Sequence, residues 1–229
     1  MADQYQRIEQ TQTFRALSGT ALEETNGMTL RESLKELPRV SSIQSEPSIF
    51  KPVIHGVHSQ RILILNNGIR QERQQWGAEH APEIDPFIAS NIVEIKDAGA
   101  IKYGTDALGG VIKINPPDLP TTNTFGGELN MIGQSNGRSG TISGMVEGGL
   151  KKFKGFGLRV QGIGKNSGDF HERDYNLSNT GYNELNYSLA TGYHKENVGI
   201  EIYYSHFKTE IGILRGSSVE SASNLENAL

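Results

Sequence analysis

Residues 53–70 read V-I-H-G-V-H-S-Q-R-I-L-I-L-N-N-G-I-R, and residues 92–114 read I-V-E-I-K-D-A-G-A-I-K-Y-G-T-D-A-L-G-G-V-I-K-I. A polar stretch separates them. Arg61 to Leu65 is an apolar run of strand length. Asn67-Gly68 follows, and both residue types tolerate the positive φ that a tight hairpin turn demands. Ile69 then resumes an extended chain. Further on, Tyr103-Gly104 and Gly109-Gly110 flank a short Thr-Asp-Ala-Leu segment. Those glycines permit sharp reversals before Val111 to Ile114 starts another strand.

The order of these words is a buried strand, an N-G-I-R turn, a polar loop, a strand, and Y-G-T-D-A-L-G-G-V-I-K-I. It resembles the plug domain of TonB-dependent outer-membrane receptors, whose usual words are I-R-G, D-G-V-R and Y-G-S-x-A-x-G-G-V-I. The resemblance covers residues 16–116, with a weaker continuation to the end. Some positions depart from the pattern. His55 stands where the I-R-G arginine is usual, and Asn66-Asn67 replaces the aspartate before Gly68. Asp97 sits where the family prefers glycine, after Lys96 in the place of an arginine.

The resemblance implies an α+β plug domain over residues 16–118, after a flexible lead over residues 1–15. Antiparallel β strands of an incomplete transmembrane β-barrel are then expected over residues 119–229. Gly56, Gly68, Arg70, Tyr103, Gly104, Gly109 and Gly110 would shape the plug. Two loops, Gln44 to Lys51 and Gln71 to Ile84, would lie at its outward apex and touch the ligand. The candidates there are Gln44, Ser48, Phe50, Gln71, Arg73, Gln75, Trp76, Glu79 and His80. The family also carries an energy-coupling box upstream of the plug, and no copy is visible in the Gln-rich lead.

Bulk composition narrows the alternatives. In 229 residues there are 27 glycines, and hydrophobic residues make up 35%, low for a packed soluble core of this size. The net charge is −4, which argues against a nucleic-acid partner, whose site needs clustered Lys and Arg. Cysteine is absent, so no disulfide framework or thiol nucleophile exists in this chain. No apolar run is long enough for a membrane-spanning helix. The start, Met1-Ala-Asp-Gln-Tyr-Gln, has no apolar leader core. Since a member of this family must be exported, the expectation is a mature or truncated product, or a reading frame missing its 5′ end, with truncation preferred.

Before the quoted stretch, residues 20–37 read as helical. Thr20 with Glu23 and Thr29 with Glu32 have capping-box spacing, and Leu30, Leu34 and Leu37 fall on one helical face. Pro38 should stop the helix. Residues 40–54 alternate and contain Pro47 and Pro52, which suggests an edge strand broken by a loop. His55, His58 and His80, with Glu79, Glu83 and Asp85, are residue types that suit zinc if they converge. Spacing does not bring them together, so surface histidines are the simpler reading, and no metal or cofactor is expected.

After Pro116-Pro117 the periodicity changes to two. Phe156, Leu158 and Val160 share one face, opposite Arg159 and Gln161. Leu185, Tyr187, Leu189, Thr191 and Tyr193 repeat the pattern, as do Val198, Ile200, Ile202 and Tyr204. Such dyads mark barrel strands with apolar side chains outward, and soluble sheets with one wet face. Five strands are expected, near residues 125–133, 140–150, 154–164, 183–195 and 198–208. Tyr175, Tyr182, Tyr193, Tyr203 and Tyr204 could form an aromatic girdle at headgroup level. A plugged transporter needs about 22 strands of about 10 residues. This chain is therefore expected to hold only the first staves of a barrel.

Enzymatic readings fail on their own terms. Gly104 to Gly110 superficially suggests a phosphate loop, but Val111 stands where the Lys and Ser or Thr should follow. No G-x-S-x-G elbow and no H-E-x-x-H word occurs. The resemblance implies energised uptake of a scarce nutrient, such as an iron chelate, haem or other metal complex. Its partners would be a TonB-type energy-coupling protein and outer-membrane lipid. The alternatives are a soluble plug-derived binding module, a gene remnant, or an unrelated β-rich adhesion domain.

Overall fold

The computed structural model describes residues 14–25, 30–46, 49–72, 84, 86–196 and 198–213. The chain forms two compact units, residues 1–45 with 49–117 and residues 46–48 with 118–229.

The first unit is built on a mixed five-stranded sheet. Its strands are β1 (Phe14–Ser18), β7 (Asn91–Ile95), β8 (Gly110–Asn115), β5 (Ile62–Asn66) and β6 (Ile69–Arg70), in that spatial order. β5 and β8 run parallel, and the other neighbours are antiparallel. The two quoted words thus become adjacent strands, with Ile62 opposite Gly110 and Ile64 opposite Ile112. All five residues of β5 are buried, because it is a central strand covered on both faces, and this is why the run Ile62 to Leu65 does not alternate in sequence. On one face Leu63, Leu65, Val93, Ile95 and Val111 pack beneath Ala100, Tyr103 and Ala107. The register puts Ile62, Ile64, Ile92, Ile112 and Ile114 on the other face, all fully buried. Burying one such side chain contributes about 1.5–3 kcal/mol.

The hairpin turn at Asn67-Gly68 forms as expected, with φ of 48° and 75° and with Asn66 paired to Ile69. A second turn of the same kind, His55-Gly56 with φ of 51° and 78°, joins β3 (Ile49–Ile54) to β4 (Val57–His58). This explains the departure at His55, which belongs to a turn and not to a strand.

The helical expectation needs correction at its start. Gly19, and not Thr20, is the N-cap of α1 (Thr20–Glu23), and no side chain caps it. Thr20 is already inside the helix, so the Thr20/Glu23 capping box does not form. The second box falls on Thr29, outside the described residues. Helix α2 (Leu30–Lys35) packs on β3, and its winding continues to Leu37, whose N–H donates to Leu34 O at 3.1 Å. Leu30, Leu34 and Leu37 are all 2% exposed, and Pro38 follows at once. A three-stranded sheet runs in the order β2 (Val40–Glu46), β3, β4. Pro52 therefore lies in a central strand, contrary to the edge expectation. It is tolerated because β4 is only two residues long and pairs with Val53 and Ile54, so it demands no donor from position 52.

The second unit is one antiparallel meander. It comprises β9 (Phe125–Gln134), β10 (Ser139–Gly149), β11 (Phe156–Ser167), β12 (Tyr182–Lys195) and β13 (Val198–Ile211), each paired with the next. These are the five strands expected from the dyads. β9 and β13 are the edges among the described residues, so the sheet does not close on itself. Odd-numbered strands end at the rim that carries the connections 135–138 and 168–181, the second being the longest of the four. The opposite rim carries residues 150–155 and 196–197.

Candidate functional site

The register of the meander sorts side chains onto two chemically different faces. One row is Gly127, Val146, Val160, Leu189 and Tyr204. Parallel rows on the same face carry Leu129, Met131, Phe125, Ile142, Leu158, Leu185, Ile200 and Ile202. Each of the apolar side chains just named is at least 39% exposed, and Phe125 reaches 85%. An apolar patch spread over five strands far exceeds what a soluble monomer leaves bare. The opposite face carries Ser143, Arg159, Gln161, Lys165, Asn186 and Ser188.

Charges on that polar face are paired across strands. Glu147 lies directly opposite Arg159, and Lys165 opposite Glu184. Arg159 donates from Nε and Nη2 to Glu147 Oε2 at 2.8 and 2.6 Å, and Lys165 Nζ lies 3.0 Å from Glu184 Oε1. Cross-strand opposition puts such side chains within reach of one another, which favours opposite charges at these positions.

The same register corrects the tyrosine girdle. Tyr193 and Tyr204 are on the apolar face, but Tyr182 and Tyr203 fall in polar-face rows beside Glu184 and Glu201. Tyr175 is exposed in the 168–181 connection. Tyr187 belongs to the apolar face and stacks with His206 at 5.0 Å. Parity along the strand, not residue type, decides which tyrosines face outward.

At the rim that carries 135–138 and 168–181 the loops are tied together by local hydrogen bonds. Asn136 Nδ2 donates to His171 O at 3.0 Å, and His171 N–H returns a bond to Asn136 Oδ1 at 2.9 Å. Asp169 accepts from the backbone N–H groups of Thr180 and Gly181 at 2.8 and 3.0 Å. Those donors, Thr180 first, then Gly181 and Asn179, hold its carboxyl below the usual carboxylate range. Nothing in the sequence singled out Asp169. The available signal was a Gly-Asp opening and an Asn-Thr-Gly closing of the connection, a pattern suited to side-chain-to-backbone bonding.

In the first unit, the motif residues meet around β5. Arg70 reaches from β6 to Asp106 Oδ2 at 2.5 Å, and its Nε lies 3.4 Å from Glu72. This joins the N-G-I-R turn to the Y-G-T-D segment. Gly104 has φ of 101° and Gly110 of 138°, conformations that side chains rarely adopt. Gly109 has an ordinary φ but no room, since an added Cβ would stand 3.1 Å from Arg61 O and overlap Val57. Asp97, where the resemblance expects glycine, adopts a φ of 54°. Aspartate is among the few residues that tolerate it.

A buried ion pair went unnoticed in the sequence. Glu94 on β7 is fully buried, and Lys96 Nζ stands 2.8 Å from its Oε1. Lys96 also donates to Pro38 O at 3.4 Å. Neither Glu94 oxygen has an aligned hydrogen-bond donor, so the lysine acts by charge and not by hydrogen-bond direction. The alternation Ile92, Glu94, Lys96 was the available signal, a charged pair on an otherwise apolar dyad.

The expected ligand residues are only partly described. Gln44 lies in β2, and Gln71 follows β6, donating from Nε2 to Ile69 O at 3.3 Å. Phe50 is a core side chain of β3, 5% exposed, because the alternation of β3 turns it inward. It offers nothing to a ligand at the surface. Ser48, Arg73, Gln75, Trp76, Glu79 and His80 lie outside the described residues, as do Glu83 and Asp85. His55 and His58 are exposed, and His58 Nδ1 is 2.8 Å from Ser59 Oγ. Among the described residues no group of three His, Asp or Glu side chains could hold a metal ion. A groove of about 780 Å³ runs between Met131, Ile142, Leu185 and Lys208 of the meander and contains none of the expected ligand residues.

Comparison with known proteins bears on both units. Residues 6–111 match the family model of the TonB-dependent receptor plug domain. The vitamin B12 transporter BtuB of Vibrio cholerae is 30% identical over 164 residues, covering 66% of this chain and 26% of that protein. The chain thus spans about a quarter of the length of the curated relatives it matches. Among solved structures, the copper transporter OprC superposes with a TM-score of 0.73 at 19% identity, over 88% of this chain and 31% of its own. The ferric citrate transporter FecA, unliganded, gives 0.69 at 17% identity, over 93% and 33%. At such identities the structural likeness speaks for the fold.

Proposed function

Since the chain belongs to the TonB-dependent receptor family, with a plug domain followed by antiparallel wall strands, we propose that it serves energised import of a scarce nutrient across an outer membrane. The observation that carries this reading is the joining, in one chain, of a plug-type unit to a sheet whose exposed face is apolar and whose other face is polar. The apolar face suits the lipid side of a barrel wall, and the polar face suits its lumen. Closure would need further strands, since bare strand edges are not tolerated in hydrocarbon.

The cargo in this reading is a metal-bearing compound: an iron chelate, haem, cobalamin or a copper complex. Support comes from the relatives, named for vitamin B12, copper and ferric citrate transport. Cargo would settle on the apical loops Gln44 to Lys51 and Gln71 to Ile84. A TonB-type partner would then pull on the chain ahead of β1. Such a strand is suited to the task, since among the described residues β1 is an edge strand paired only with β7. Pulled from its N-terminal end, its ladder opens one pair at a time.

The test uses the full-length receptor in outer-membrane vesicles, with ferric chelates, haem, cobalamin and copper as labelled probes. One of them should bind in the vesicles, and uptake in cells should stop when the inner-membrane proton gradient is collapsed. No binding to any probe, or uptake indifferent to the gradient, would overturn the reading.

A further inference from the structure

Three glycines stand side by side on the polar face of the meander. Gly149 is opposite Gly157, and Gly157 is opposite Gly192. None of the three has a positive φ, so backbone conformation does not require them. Space does. Together they leave a trough across three strands at the rim that carries 150–155 and 196–197, and the segment Leu119–Thr122 lies in it. A Cβ at Gly149 would come within 2.7 Å of Pro120 O and overlap Thr122 O. At Gly157 it would lie 2.7 Å from Pro120 O and 3.1 Å from Leu119 Cβ, and at Gly192 it would lie 3.1 Å from Leu119 Cδ1. Real Cβ atoms do not show contacts under 3.0 Å, so a side chain at Gly149 or Gly157 would lift the segment out, whereas at Gly192, where Ile200 O is nearer still at 3.0 Å, the end of Leu119 would have to give by a few tenths of an ångström.

Polar contacts fasten what the glycines admit. Arg159, 4% exposed at its side chain and held by Glu147, donates from Nη2 to Asp118 O at 3.0 Å. Gly155 N–H donates to Thr121 O at 3.0 Å, and Gly149 N–H donates to Thr124 O at 2.9 Å. Leu119 is 8% exposed. By composition the stretch P-P-D-L-P-T-T-N reads as a linker, yet Asp118 to Thr122 is fastened to the sheet.

We propose that Leu119–Thr122 is a fixed anchor for the plug's C-terminal tether, with Gly149, Gly157, Gly192 and Arg159 as its positioning residues. The inference rests on the import reading above. Its content is that motion during transport ends at this anchor.

The experiment uses the full-length receptor in cells, with single cysteines introduced into this cysteine-free stretch and probed by a bulky maleimide. Cysteine at Leu17, 6% exposed in β1, reports opening of that strand, and cysteine at Leu119 reports release of the anchor. The expected result is that energised turnover speeds labelling at position 17 while position 119 stays protected. Adding Gly157→Ala or Gly149→Ala should speed labelling at 119 roughly tenfold or more at rest, by overpacking the trough. Arg159→Gln is a second route should either alanine variant fail to assemble. Gly162→Ala on the same strand is the control, because its Cβ would meet nothing nearer than 3.9 Å. Labelling at 119 that rises with 17 during turnover would overturn the anchor, as would Gly157→Ala, Gly149→Ala and Arg159→Gln all leaving 119 protected. If position 17 never responds to energy, the import reading fails instead. The anchor then stands or falls on the resting-state variants alone.

Discussion

Replacing Lys96 with methionine isolates one interaction in the plug-type unit. The pair is sealed, with the side chains of Lys96 and Glu94 at 5% and 0% exposure and Nζ 2.8 Å from Oε1. Methionine keeps an unbranched apolar stem of similar length and removes the ammonium. Glu94 is left buried with no cation and, as in the parent, no aligned donor. Removing one member of such a pair costs about 3–5 kcal/mol, because the survivor's desolvation is no longer offset. A domain of this size has only about 5–15 kcal/mol in all, so the loss should be visible without abolishing the fold in every background. Read by hydrogen exchange in the full-length receptor, amides of Ile92 to Ile95 should exchange about 100-fold or more faster, at a factor of ten per 1.4 kcal/mol. The double variant E94L/K96M should recover most of the protection, since an apolar pair in place of a buried ion pair is often neutral or stabilising. The reasoning fails if K96M exchanges within about tenfold of the parent, a shift of about 1.4 kcal/mol. It fails equally if the double variant is as weak as the single one.

Other changes test the remaining elements. Gly110→Val places a branched side chain at a φ of 138° and 3.0 Å from Ile95 O. Backbone strain alone costs about 1–3 kcal/mol, and faster exchange at β8 should report it, whereas Gly133→Ala, which meets nothing, should leave exchange unchanged. Val160→Arg on the apolar face should lower folding stability in liposomes by about 2–4 kcal/mol if that row sits near mid-bilayer. Ser188→Arg on the polar face should have a much smaller effect. Asp169 has a depressed carboxyl, so its contribution to loop order is fully present above the ordinary carboxylate range and is lost as pH falls through the lowered value. Protection of the Thr180 and Gly181 amides should follow that acid limb, and Asp169→Asn should abolish it.

How much of this was legible follows from how local each determinant is. The hairpin at Asn67-Gly68 and the strand Ile62 to Leu65 were readable because neighbouring residues carry both signals. The five wall strands were readable because a period of two persists over ten or more positions, beyond the reach of chance. Phe50 was misplaced because a loop boundary set by resemblance hid the alternation of β3, which turns it inward. The tyrosines were misassigned because residue type was allowed to outvote parity, and parity alone sends Tyr203 and Tyr204 to opposite faces. Partnerships at a distance were not readable. Lys96 and Glu94 are two residues apart, but their burial depends on an isoleucine layer contributed by β5, β7 and β8.

Glycine shows most clearly where sequence reasoning stops. The chain holds 27, and by composition they all signal turns and weak strands. In the fold they answer different demands. Gly110 is needed for its backbone angle. Gly149 and Gly157 have ordinary angles and are needed because another part of the chain lies where a Cβ would be, and Gly192 beside them is merely tight, against Ile200 O and the end of Leu119. Gly133 and Gly140 have neither constraint, with open space around a virtual Cβ. No local pattern separates these classes, because the second depends on a segment at least 27 residues away in the sequence, from Thr122 to Gly149. A glycine inside a long alternating strand weakens that strand by lost packing and added unfolded-state freedom. Three in register would be an unexplained weakness in a plain wall, and the seated tether is what gives the row a physical cause.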